Sequence, residues 1–98
     1  MQIRYKTNKL QKICEKAEEA RRVYNVKMAQ VIQIRIAQIK SASSIDYLLQ
    51  NRIGECHELK GDRKGQYAMK LVQPYRLIFT QENGKTVLIC IEDIVDYH

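Results

Sequence analysis

The hydrophobic period of this chain changes once, near Gly54, and no other feature constrains the fold as much. Before that point apolar residues recur at helical spacing; after it they alternate with polar ones. Thr7 or Asn8 can cap a first helix, in which Leu10, Ile13, Ala17, Ala20 and Tyr24 share one face and Lys9, Lys12, Glu15, Glu18, Glu19 and Arg22 the other. Asn25 breaks the pattern. A second helix is predicted from about Val26 to Lys40, with Met28, Ala29, Ile32, Ile36 and Ile39 in one stripe. Val31 and Ile34 fall off that stripe, so this helix is either sandwiched within its own domain or offers a surface to a partner. Ser43 followed by Asp46 resembles a capping box for a short third helix ending at Leu49 or Gln50.

From Cys56 onward the pattern is that of strands. Tyr67, Met69 and Leu71 alternate with Gln66, Ala68 and Lys70, and Tyr75, Leu77 and Phe79 with Arg76, Ile78 and Thr80. Pro74 fixes a turn between the two runs, and Asn83-Gly84 signals a hairpin into a fourth strand at Thr86 to Ile91. A short extended start covers Ile3 to Tyr5. Helices first and strands afterwards predict an α+β domain, with the N-terminal helices packed on one face of a twisted antiparallel sheet of about four strands. With no repeat, linker or shift of composition, residues 1–98 make one domain. Strand parity separates Tyr75, Leu77 and Phe79 from Arg76. If the aromatic face meets the helices, Arg76 projects from the open one.

Composition narrows the function classes. The chain is 45% hydrophobic and 29% charged, which suits a soluble globular protein. No run approaches the roughly 18 apolar residues of a membrane span, and the start from Met1 to Lys6 lacks the apolar core of a signal peptide. No membrane partner is expected, and a cytoplasmic location is. Cys14, Cys56 and Cys90 are an odd set with no close pair, expected as buried reduced thiols rather than a disulfide framework or a four-ligand zinc site. The net charge of +6 favours phosphates or acidic proteins as partners, or serves solubility alone.

Two places concentrate reactive side chains. His57 precedes the loop Lys60-Gly61-Asp62-Arg63-Lys64-Gly65, and Asp96-Tyr97-His98 follow a run, Ile94-Val95, that could carry them as a strand to the sheet edge. Cleaving RNA through its own 2′-hydroxyl needs a base for that hydroxyl, an acid for the leaving 5′-oxygen and cations for the crowded phosphorane; no metal or cofactor is required. His57 and His98 with Lys60, Arg63, Lys64 and Arg76 hold that inventory, and Tyr97 could stack on a base or hydrogen-bond a phosphate. Each signal has a plainer alternative. His57 shares parity with Leu59 and could be a core histidine; the basic loop could be a solvated turn, with its glycines serving backbone geometry; Arg76 could pair with Glu58 or Asp62; the terminal triplet could fray.

Three blocks in order carry a resemblance: His57-Glu58-Leu59-Lys60-Gly61-Asp62-Arg63-Lys64-Gly65-Gln66-Tyr67, then Pro74-Tyr75-Arg76-Leu77-Ile78-Phe79, then Ile94-Val95-Asp96-Tyr97-His98. Together they resemble the HigB branch of the RelE/ParE toxin superfamily. The resemblance implies a RelE-like fold and a type II toxin, a ribosome-dependent endoribonuclease that cuts translated mRNA and is neutralised by a cognate antitoxin, expected to be of helix-turn-helix type. It carries the catalytic role onto His57, Asp96, Tyr97 and His98, and RNA or phosphate binding onto Lys60, Arg63, Lys64 and Arg76. The superfamily also contains gyrase poisons and inactive relatives, so a gyrase inhibitor or a non-catalytic basic RNA-binding protein of the same fold stands as the alternative.

Overall fold

The computed structural model describes residues 1–82 and 87–97. The predicted Asn83-Gly84 turn and His98 therefore lie outside the described residues. In chain order the elements are β1 (Gln2–Tyr5), α1 (Asn8–Glu15), α2 (Ala17–Val23), α3 (Val26–Ser41), α4 (Ile45–Gln50), β2 (His57–Glu58), β3 (Gln66–Lys70), β4 (Tyr75–Glu82) and β5 (Leu88–Asp96).

Short polar side chains start three of the helices. Thr7 Oγ1 accepts from Leu10 N at 3.1 Å, Asn25 Oδ1 from Met28 N at 2.8 Å and Ser44 Oγ from Tyr47 N at 3.1 Å. The third cap is one residue later than the expected Ser43. Asp46 consequently falls one position short of where a capping box needs its acid, and the reciprocal bond of that motif is lost. Replacing Asn25 by alanine is expected to cost about 1 kcal/mol, read as a lower urea midpoint at unchanged slope.

The first predicted helix is in fact two. Lys16 is extended (φ −121°, ψ 108°), yet its N–H donates to Lys12 O at 3.0 Å and its carbonyl accepts from Glu19 N and Ala20 N. One residue thus closes α1 and opens α2 with little loss of hydrogen bonding. The bend lets α2 pack on α3 and buries Ala20 completely. A β-period or helix-period count cannot see such a break, because apolar spacing continues across it.

The sheet also differs from expectation. It has five strands in the order β1-β5-β4-β3-β2 and is mixed, because β1 pairs in parallel with β5 through Gln2↔Leu88 to Tyr5↔Ile91. All other ladders are antiparallel. The last strand is therefore interior rather than at the edge. It runs beyond the predicted end at Ile91 to Asp96, through an irregularity opposite Ile78 and Phe79 that takes Glu92 out of register. Such a bulge accommodates the polar Glu92-Asp93 pair within an otherwise apolar strand.

The helices cover one face of the sheet. Ile13, Ala20, Met28, Ile32, Ile36, Ile39 and Leu48 pack against Met69, Leu71, Leu77, Phe79, Ile89 and Ile91. Tyr67 stacks on Phe79 with centroids 5.7 Å apart. The predicted aromatic face thus meets the helices, and Arg76 lies on the other. Val31 packs at the edge of the core, while Ile34 stays 51% exposed. All three cysteines are free and buried, and burial pushes the Cys14 thiol up to about 12 and that of Cys56 up to about 11. At neutral pH both behave as small apolar side chains.

Candidate functional site

His57 stands on the two-residue edge strand β2, in register with Ala68, and is exposed; the core-histidine alternative does not hold. Its Nδ1 lies 2.9 Å from Glu55 O. The chain then leaves the sheet and returns, with Leu59 N donating to Gln66 O at 2.8 Å and Gly65 N to Glu58 Oε2 at 3.1 Å. These bonds close the base of a loop built around a single 3₁₀ turn, Gly61–Arg63, with Gly61 (φ +68°) and Gly65 (φ +92°) in the left-handed region as the turn geometry requires. Lys60, Arg63 and Lys64 are exposed on it. A shallow hollow of about 350 Å³ lies beside the loop, lined by Glu58, Leu59, Lys60, Gly61 and Lys64.

Arg76 does not pair with Glu58 or Asp62. Its Nη1 donates to Gln73 Oε1 at 3.2 Å and to Tyr75 O at 3.0 Å. Directly opposite it on β3 is Lys70. Two cations facing each other across a ladder repel, and the partial offset here is the Glu55 carboxylate, 3.7 Å from Lys70 Nζ. Because Ala68 is the partner of His57 and side chains alternate, Lys70 and Arg76 share the face of His57. Lys70 is missing from the residues picked out in the sequence. Its signal was the register that sets it against Arg76, which alternation alone does not reveal.

At the other end, Asp96 closes β5 in register with Tyr75, and Tyr97 N donates to Pro74 O at 3.0 Å. Up to Tyr97, then, the backbone stays hydrogen-bonded to the neighbouring strand and its turn. The Tyr97 hydroxyl accepts from Arg63 Nη1 at 3.4 Å, a long contact. Strands β3 and β4 separate β2 from β5, a backbone distance of roughly 14 Å at ordinary strand spacing. Arg63 and Tyr97 reach across that width. The structure thereby brings the loop and the chain end together, with Lys70 and Arg76 on the strands between and His57 on the same face. His98, which the resemblance sets beside His57 in the catalytic set, lies outside the described residues. A hollow of about 380 Å³ between the start of α1 and the β5 irregularity, lined by Lys6, Thr7, Tyr24, Asp93 and others, contains none of the predicted residues.

The HigB-like toxin family, described as the RelE-like toxin of the type II toxin-antitoxin system HigB, matches this chain over residues 3–98. No curated protein matches it. Among solved structures the chain is similar to a YoeB/ParE toxin from Agrobacterium tumefaciens, with a TM-score of 0.64 and 14% identity over 100% of both chains. At that identity the likeness speaks for the fold alone, and it agrees with helices laid on one face of a mixed sheet. With the family match spanning nearly every residue, the chain belongs to the HigB-like toxins of type II toxin-antitoxin systems.

Proposed function

We propose that this toxin is a ribosome-dependent endoribonuclease that cuts mRNA by attack of the RNA's own 2′-hydroxyl and so inhibits translation. Toxins of this group are generally ribonucleases. The observation that carries the reading is that an exposed histidine and two opposed cations share one sheet face, while the Arg63–Tyr97 contact joins the edge loop to the chain end. His57 moves a proton at one reacting oxygen and His98 at the other. Arg76, Arg63 and Lys70 offset charge on the phosphorane, Lys60 and Lys64 hold the flanking backbone, Tyr97 stacks on a base or donates to a phosphate, and Asp96 orients its neighbours. DNA lacks the 2′-hydroxyl, so this chemistry selects RNA.

The partners are mRNA on the ribosome and a cognate antitoxin, the latter implied by membership of a type II system. Such work places the toxin in the cytoplasm. No helix of the described residues is long and apolar enough to cross a membrane. Inducing the chain with and without its antitoxin, and mapping mRNA ends, tests the reading: growth arrest with new ends inside translated reading frames is expected. Inhibited supercoiling and DNA damage with intact mRNA would transfer the protein to the gyrase-directed class. RNA bound with steep salt dependence yet left uncut would make it a simple binder.

A further inference from the structure

We infer that His57 exchanges protons through Nε2, and that the turn from Arg52 to Glu55, braced by Arg35, holds the ring in that state. The role given to the proton rests on the nuclease reading; the geometry does not. A carbonyl oxygen only accepts, so the 2.9 Å approach of Nδ1 to Glu55 O is a hydrogen bond only when Nδ1 carries the hydrogen. In the neutral ring the lone pair then sits on Nε2. In the imidazolium the Nδ1 proton is engaged and the Nε2 proton is the one released. The 2′-hydroxyl proton can therefore pass to the Nε2 lone pair, or an Nε2 proton to the leaving 5′-oxygen, with Nδ1–H unchanged throughout. An unconstrained histidine side chain favours the opposite tautomer.

Placing that carbonyl requires an unusual backbone. Arg52 (φ 50°), Gly54 (φ 58°) and Glu55 (φ 55°) are all in the left-handed region. Non-glycine residues held there persist only where their surroundings over-determine them. The surroundings are supplied by α3 and β3. Arg35 Nε donates to Lys70 O at 2.7 Å and its Nη1 to Gln38 Oε1 at 3.1 Å. The same guanidinium lies so close over Gly54 that a Cβ there would stand 2.6 Å from Nε. From the other side, the Glu55 carboxylate reaches Lys70 Nζ at 3.7 Å. Lys70 is thus tied to the turn through both its backbone and its side chain, and His57 pairs with Ala68 on the same strand. The histidine, its acceptor and Lys70 are linked to one another through β3 and the turn, with Arg35 acting as a positioning residue.

Long-range ¹H–¹⁵N correlation spectra of the labelled full chain, with the His57 ring assigned by comparison with His57→Gln, read the tautomer at a pH where the ring is neutral. A predominant Nδ1–H form is expected, and a predominant Nε2–H form overturns the inference. Gly54→Ala, which meets Arg35 at an already left-handed position, should mix the tautomers. It should also slow single-turnover mRNA cleavage on ribosomes roughly tenfold or more, with half-saturating concentration unchanged. Should that variant fail to fold, Arg35→Lys keeps the cation but loses the fork over Gly54, and the same two readouts should move. A folded variant with unaltered tautomer and rate removes the brace. Wild-type protein that shows Nδ1–H but leaves mRNA uncut overturns the nuclease reading alone; cutting with His57 in the Nε2–H form overturns this inference alone.

Discussion

His57→Gln is expected to lower mRNA cleavage by about 10²- to 10⁴-fold, the usual worth of a positioned proton-transfer group, and to abolish growth arrest. Stability should stay within about 0.5 kcal/mol, as for surface changes away from special features. The two expectations come from one observation: His57 is exposed on a two-residue edge strand and buries nothing. Glutamine keeps a neutral polar side chain of similar length but cannot exchange a proton, so the loss reads proton exchange. The measurements are single-turnover cleavage on programmed ribosomes and thermal melting of the same preparation. A variant that cuts within tenfold of wild type would exclude His57 from the chemistry, and one that melts early would make the defect structural.

How much could be foreseen depended on whether the signal was local. Burial imposes a period on the side chains it acts upon. Met28, Ala29, Ile32, Ile36 and Ile39 on α3, and Tyr75, Leu77 and Phe79 on β4, could therefore be placed on their faces from spacing. The same logic fails where a change of direction leaves spacing intact, as at Lys16. It fails again where partners are distant: Gln2 and Leu88 pair in parallel across most of the chain, and nothing in either segment announces the other. The candidate site divides similarly. His57, the loop cations and the terminal triplet declare themselves by residue type, and their order matches a known family. Lys70 becomes visible only with the register of β3 on β4. The acceptor for the His57 ring is a backbone carbonyl, which no residue type advertises, and Arg35 acts on the turn from a helix whose pattern marks it as ordinary.

Phe79→Ala is the change expected to destabilise the domain most. Phe79 is fully buried, stacks on Tyr67, and lies in register with Tyr67 on one side and Ile91 on the other, next to the irregularity of β5. The β4 backbone is fixed by ladders on both edges and cannot collapse into the space, so the loss should include a cavity term and reach about 3 to 5 kcal/mol. Against a typical total of about 5 to 15 kcal/mol, that leaves a marginal fold and a much lower urea midpoint. Toxicity should fall as well, but through abundance. A ligand that binds only the native state raises stability by mass action, so co-expressed antitoxin should restore the level of Phe79→Ala protein. The His57→Gln protein should accumulate with or without antitoxin. A loss below about 1 kcal/mol would mean that Phe79 does not fill the core as described, since even modest cavities cost more than that at a fully buried aromatic. Comparing the two variants separates the face proposed to perform the chemistry from the core that presents it: one should be stable and silent, the other competent in whatever fraction remains folded.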